Sequence, residues 1–213
     1  IPFKKLLKKT NNFKKKLNFR LGDNNSDTDP TVIVKTRGIN CNNGVILKCL
    51  NFPRHWHSYY DYSNNRFNTI PFKKKLPIVF WRGATTGNHN LPFKNNRLKL
   101  VEKYHSGYPN IDVGFSLLCQ GKQEFRIYKK KKTDINTFLQ HKYIISVPGN
   151  DKDSGLNWKL NSNSIIFMPK PVITSWTMET KLIPNYHYIL LKDDFSDLIE
   201  KYNWCEKNQD KCI

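Results

Sequence analysis

From residue 76 onward the chain alternates between short apolar runs and polar, turn-rich stretches. Ile78 to Trp81, Ile111 to Phe115, Tyr143 to Val147 and Ile165 to Met168 are the four clearest runs. Runs this short, bounded by Gly, Asp, Asn and Pro, predict buried strands. The segments between them predict helices. Residues 94–105 carry Leu98, Val101 and Tyr104 on one side, and 133–141 predicts a shorter helix. A polar amphipathic stretch after Gly155 predicts another, leading into the parallel strand 165–168. The span 195–207 predicts a helix whose D-F-S-D-L start puts acidic residues where the helix dipole favours them. Strands alternating with helices predict an α/β fold with a parallel sheet.

The first 75 residues are patterned differently. Residues 31–36 and 44–50 predict strands, and 22–30 is a polar loop rich in turn formers. The tract 54–67 is aromatic and polar without period, as in a surface or cleft loop. Residues 1–20 are basic, with Phe3, Leu6, Leu7, Phe13 and Leu17 on one helical face. Such a face packs on a core or rests on a membrane surface, and the first is the more usual. I-P-F-K-K occurs at 1–5 and again at 70–74 without a fixed period, which is not a solenoid pattern. The pattern divides the chain into a smaller lobe, 1–75, and a larger one, 76–213, with a cleft between them.

The chain has 213 residues, 38% hydrophobic and 13% aromatic, so its core leans on Phe, Tyr and Trp. No run of 18 apolar residues is present. It begins at Ile1 with no signal-peptide pattern, the expectation for a fragment, a processed chain or one domain of a longer protein. The formal charge of +19 invites a nucleic-acid reading. The make-up argues against it: 29 Lys and 25 Asn against only 7 Arg look like the output of an AT-rich genome. Dedicated nucleic-acid surfaces carry more Arg. Nucleic acid is therefore set aside as main partner, although an anionic nucleotide donor or an anionic membrane still suits a basic chain. Five cysteines without a C-x-x-C spacing exclude a zinc ribbon. Cys41 with Cys49, and Cys205 with Cys212, close short loops in an oxidising compartment; a reducing one leaves free thiols.

Two segments carry chemistry. In Trp81-Arg82-Gly83-Ala84-Thr85-Thr86-Gly87, followed by Arg97, a strand opens into a Gly/Thr loop and then a helix. Backbone N–H groups there suit a phosphate, and Arg82 suits a pyrophosphate, unless it is held in a structural salt bridge. It is not a Walker A loop. The second segment, Gly149 to Lys159, includes Asp151-Lys152-Asp153, Ser154, Gly155 and Asn157. It lies where open α/β sheets hold ligands. Ser175-Trp176-Thr177-Met178-Glu179 and Leu182 to Tyr188 follow it.

These segments, with Arg54-His55-Trp56 upstream, resemble glycosyltransferase family 90. That family groups the Rumi-type protein O-glucosyltransferases, the capsule xylosyltransferases and the lipopolysaccharide-modifying enzymes. The resemblance runs over about 31–207, best at 78–87 and 142–204, and suits a member from a virus or another AT-rich genome. It implies a GT-B-like fold of two Rossmann-like lobes with parallel sheets, the first lobe reduced. It implies transfer of glucose or xylose from a UDP-sugar, with inversion, to a hydroxyl of a glycan or protein. Arg82, Gly83, Thr85, Thr86, Gly87 and Arg97 match one side of the donor site. Ser154, Gly155, Asn157 and Lys159 match the other, with Glu179 toward the ribose and His187 toward the diphosphate. Many members carry a cation at the place of Asn157, and here Lys159 or Arg82 stands in.

In the protein O-glucosyltransferases the catalytic base is an Asp after an early strand, where this chain has Gly38. Asp61 is the first substitute and His55 the second; Asp112 suits a structural role. No metal site or cofactor is expected: the D-x-D spacing of Asp151 and Asp153 falls inside the donor loop, and cations and dipoles suffice to hold the leaving diphosphate. Localisation is expected in the cytoplasm (host cytoplasm or virion for a viral protein), with a secretory lumen as the alternative. An inactive family member serving as a binding module, or a basic nucleic-acid-binding protein, is the competing reading.

Overall fold

The computed structural model of the chain describes residues 18–20, 22–23, 29–41, 45–46, 70–87 and 96–213. Early in the chain, β1 (Ile33–Val34) pairs in parallel with β3 (Val45–Ile46), while β2 (Thr36–Gly38) leaves toward another partner. The expected strand at 31–36 is thus broken at Lys35. Of the one expected at 44–50, two residues are described.

The main body is a five-stranded parallel sheet. Its strands are β4 (Leu76–Ala84), β5 (Ile111–Leu117), β6 (His141–Ile145), β7 (Ile165–Pro169) and β9 (Ile189–Leu191), in the spatial order β5-β4-β6-β7-β9. Among the described residues five helices accompany it: α1 (Asn96–Tyr104), α2 (Ile135–Leu139), α3 (Leu156–Leu160), α4 (Leu198–Lys207) and α5 (Gln209–Cys212). This is the expected α/β class with a Rossmann-like parallel sheet. The expected elements that lie within the described residues form, with trimmed helix ends; the helical face over 1–17 and the tract 54–67 lie outside them. α2 starts where the Asp134 carboxylate accepts the Thr137 N–H, at 2.9 Å. Two strands were missed: β8 (Ile173–Ser175), which pairs antiparallel with β2, and β9. At three residues each, they are too short to show a period.

β4 is longer than its apolar run. It continues through Arg82 and Gly83 to Ala84, so the W-R-G segment is strand and the loop begins at Thr85. β6 and β7 are buried at every position, as strands covered on both faces require. One face packs Val79, Trp81, Tyr143, Ile145 and Phe167 against α1 and α4 through Leu100, Tyr104, Leu198 and Tyr202. The other packs Phe80, Ile144, Ile166 and Met168 against α2 and α3 through Phe138, Leu156 and Trp158. The Tyr104 hydroxyl donates to the Phe195 carbonyl at 2.6 Å, joining α1 to the approach of α4.

β4 comes first in sequence, yet it lies inside the sheet, with β5 on one side and β6 on the other. The connections therefore leave in opposite directions from β4 and β6, and the crevice at their carboxyl ends is the topological switch point.

Phe167 is fully buried in the interior strand β7. Phe167→Ala is expected to cost about 3–5 kcal/mol of stability, measured by urea denaturation.

Candidate functional site

The loops that leave β4 and β6 meet at the switch point. Gly87, at φ +104°, lies so close to Gly149 that an added Cβ would sit 3.2 Å from the Gly149 carbonyl oxygen. A Cβ on Gly149 would come within 2.7 Å of Thr86 Oγ1. The Gly87 N–H donates to the Asn150 side-chain oxygen at 3.0 Å. Neither loop has room for a side chain at this junction.

Arg97, in the first turn of α1, ties the loops together. Its Nε donates to the Pro148 carbonyl and one terminal nitrogen to the Val147 carbonyl, both at 3.0 Å. The other terminal nitrogen donates to the Ala84 carbonyl at 3.0 Å and to Thr86 Oγ1 at 2.7 Å. The planar fork of a guanidinium can serve both strand ends at once, which an ammonium cannot. The group also lies 5.8 Å from the Trp81 ring centroid. Gly83 leaves space for that ring, since a Cβ there would meet the indole at 2.5 Å. Burial lowers the Arg97 pKa, and Asp153 opposes the shift from a distance. Every hydrogen-bond partner of Arg97 is a neutral oxygen, so its charge is not cancelled by contact with a carboxylate.

The loop after β6 is held by three ion pairs. Asp153 pairs with Lys159 and accepts from Ser146 Oγ at 2.8 Å and from the Gly155 N–H at 2.9 Å. Lys152 pairs with Glu179 at 2.5 Å. Asp151 pairs with Lys35, from the early segment, at 2.6 Å. The D-x-D spacing thus serves two separate cations. Among the described residues no group of three His, Cys, Asp or Glu side chains comes together as a metal site.

Glu179 is almost fully buried, 2% exposed. It also accepts from Ser175 Oγ and the Ser175 N–H, each at 2.7 Å. Burial raises the pKa of both Asp153 and Glu179, but their lysine partners and hydrogen bonds outweigh it, leaving both below the ordinary carboxylate value. A cavity of about 40 Å³ lies between this loop and the β7–β8 connection, lined in part by Ser146, Lys152, Asp153 and Glu179.

The other residues named from the sequence fall in several places. Thr85 is buried. Its hydroxyl donates to the Cys119 carbonyl at 3.0 Å and accepts the Cys119 N–H at 2.9 Å, joining the ends of β4 and β5. Arg82 lies within β4 and gives all its hydrogen bonds to β4 and β5: the Trp81 and Asp112 carbonyls, and the Asp112 carboxylate at 2.7 Å. This is the salt-bridged arrangement weighed against a diphosphate role, and Asp112 is the structural partner. Lys159 is buried and donates to the Ile145 carbonyl at 3.2 Å besides pairing with Asp153. Ser154, Gly155 and Asn157 follow on the same loop and the start of α3.

His187 is not part of this crevice. It precedes β9, at the amino end of a parallel sheet, and its Nδ1 accepts the Ile183 N–H at 2.9 Å. There it lines a different cavity, of about 320 Å³, with Tyr186, Lys201 and Trp204. Gly38 pairs with Ile173, which lines the smaller cavity. Arg54, His55, Trp56 and Asp61 lie outside the described residues. Sequence reasoning missed the holding roles of Lys35, Ser146 and Lys152. The alternating charges of Asp151-Lys152-Asp153 were the available signal.

Residues 52–212 match the family model of glycosyl transferase family 90. The chain belongs to glycosyltransferase family 90. Among its relatives, O-glucosyltransferase LpsA of Dichelobacter nodosus is 33% identical over 190 residues, covering 88% of this chain and 54% of that protein. Protein 179R of Invertebrate iridescent virus 6 is 28% identical over 71% of the chain and 15% of its own length. Protein O-glucosyltransferase 2 of Danio rerio is 25% identical over 66% of the chain and 27% of its own length. This family 90 chain therefore spans about half, or less, of each of these relatives. The matched range contains both crevice loops.

Two predictions follow from the ion pairs and the clamp. Arg97→Lys keeps the charge but cannot fill the fork, and is expected to destabilise the fold by about 1–3 kcal/mol in urea denaturation. The lowered pKa values of Asp153 and Glu179 contribute stability that is complete above the unfolded carboxylate range, near about pH 4, and is lost as pH falls through the lower folded values. Asp153→Asn removes one of the two contributions, so its melting temperature should fall less steeply with acid than that of the parent.

Proposed function

We propose that this chain carries the donor site of an inverting glycosyltransferase that moves a sugar, glucose or xylose, from a UDP-sugar to a hydroxyl of a glycan or protein. The observation that carries the reading is Arg97. It is a buried guanidinium held by neutral oxygens, directly beneath two glycine-pinched loops at the switch point of a parallel sheet. A full positive charge fixed in that position attracts a diphosphate and stabilises it as it leaves, with no reorganisation during the reaction. The Thr85–Gly87 and Gly149–Asp151 loops close over the guanidinium; their Thr85, Gly87 and Gly149 N–H groups are already given to Leu117, Asn150 and Asp151, so in this reading the charge is what meets the phosphates.

The cavity of about 40 Å³ beside Glu179, Lys152 and Ser146 has room for about one water-sized group, which suits a ribose hydroxyl. Arg82 and Lys159 act indirectly, by setting β4 and the loop. The acceptor proton goes to a carboxylate or imidazole within hydrogen-bond reach, and Asp61 and His55 are the proposed bases. No metal is needed in this scheme, and the protein works in the cytoplasm.

Gly38 favours a second reading. It occupies the place of the expected base, next to the crevice, and leaves an inactive donor-binding module as the rival.

The test is a panel of UDP-sugars (glucose, xylose, galactose, N-acetylglucosamine), read as UDP release together with a thermal shift. We expect release with one sugar and a loss of that release in Asp61→Asn or His55→Gln. A shift without release favours the binding module. No shift with any member of the panel, or with UDP, would overturn the donor-site assignment.

A further inference from the structure

β5 is an edge strand of the main sheet, and the chain that follows it folds back along that edge. After a turn at Gln120 and Gly121, both at positive φ, a 3-10 turn over Gln123–Tyr128 places Phe125 against Phe115, with ring centroids 6.2 Å apart. Tyr128 packs on His105 at 5.5 Å. Lys129 bridges to Phe115 and the Lys130 N–H donates to the Phe115 carbonyl at 2.8 Å. The segment is therefore an ordered extension of the sheet edge.

Its outward side carries exposed aliphatic side chains together with exposed cations. Ile127 is 73% exposed and Leu117 is 57% exposed. Around them Arg126, Lys129, Lys131 and Lys132 are exposed too, and among the described residues none of the four has an ion-pair partner. The other two cations are used elsewhere: Lys130 is held by Asp112 at 2.6 Å, and Lys122 lies 3.7 Å from Glu124. Lysines on an edge strand have a bland role, since they discourage pairing with a second sheet edge. That role does not account for the exposed isoleucine they surround. A large aliphatic side chain ringed by flexible cations matches the interface of an anionic bilayer, apolar below and negative above.

We propose that this edge, Leu117 with residues 126–132, docks the protein on an anionic lipid bilayer. Ile127 and Leu117 enter the interface while Arg126, Lys129, Lys131 and Lys132 meet the headgroups. The surface adjoins the crevice, because the Leu117 carbonyl accepts the Thr85 N–H at 3.0 Å. Docking there would hold the loops of the candidate site beside the membrane, where a lipid-borne acceptor would be found. The proposal concerns the surface alone and does not depend on which donor the crevice takes.

The test is sedimentation of the protein with phosphatidylcholine vesicles, with and without about one-third phosphatidylglycerol, at low salt. The wild type should bind the anionic vesicles and not the neutral ones. The K129E/K131E/K132E variant should lose at least on the order of 100-fold in partition, at about fivefold for each positive charge removed. Ile127→Ser should lose about tenfold, the worth of one buried aliphatic side chain. All these residues are at the surface, so circular dichroism melts should match the parent, and a variant that melts early is replaced by Ile127→Ala or K131E/K132E. Failure of the wild type to bind anionic vesicles would overturn the proposal. So would full binding by the triple variant, which would move the contact to another basic surface. Equal binding by Ile127→Ser, with displacement by a soluble polyanion such as heparin, would indicate a polyanion partner and overturn it as well.

Discussion

One buried guanidinium organises the region where two parallel strands end. Arg97 reaches the carbonyls of Ala84, Val147 and Pro148 and the hydroxyl of Thr86, so the two loops it serves cannot move apart without leaving those groups unpaired. An unpaired buried carbonyl is costly, and so is an unmatched buried charge. The clamp therefore sets demands on its neighbours. Gly87 and Gly149 must lack side chains for the loops to close, and Gly83 must lack one for the Trp81 indole to lie beneath the charge.

Charge is handled in different ways across the molecule. The chain carries a formal +19, yet around the loop after β6 nearly every cation has its own carboxylate. Lys35, Lys152 and Lys159 are matched to Asp151, Glu179 and Asp153. Pairs of this kind hold a loop in one shape but leave little net field outside it. The surplus sits on solvated side chains such as Lys129, Lys131 and Lys132, and at Arg97, whose hydrogen-bond partners are all neutral. For a site that takes an anion, the number of cations matters less than which of them lacks a counter-charge.

The fold was largely legible from the chain. β6 and β7 are buried on both faces and are written as unbroken apolar runs, which is why Tyr143–Val147 and Ile165–Met168 stood out. β8 and β9 were not legible, because three residues carry no period and their stability comes wholly from neighbours brought near by the fold. The two loops of the site could be found by their glycines. The division of labour within them could not. Arg82 and Arg97 are both basic residues beside a Gly/Thr loop, and only the pleat of β4 and the start of α1 decide that one points to Asp112 and the other to the loop carbonyls. His187 follows the same rule. It is near Glu179 in sequence, but the return through the sheet brings it to the opposite end.

The pairing of β2 with β8 changes what the early segment is. Residues 36–38 supply hydrogen bonds to 173–175, and Lys35 supplies the counter-charge for Asp151. The segment before residue 76 therefore does not behave as a detachable module. A protein cut at that point would present an unguarded strand at β8 and an uncompensated acid in the loop above β6. Heredity would see this too: a gene fusion or truncation with its breakpoint near residue 76 divides a shared piece of architecture, and one placed just ahead of β1 still removes the Asn18 and Arg20 bonds to Ile33 and the Asp23 partner of Lys35.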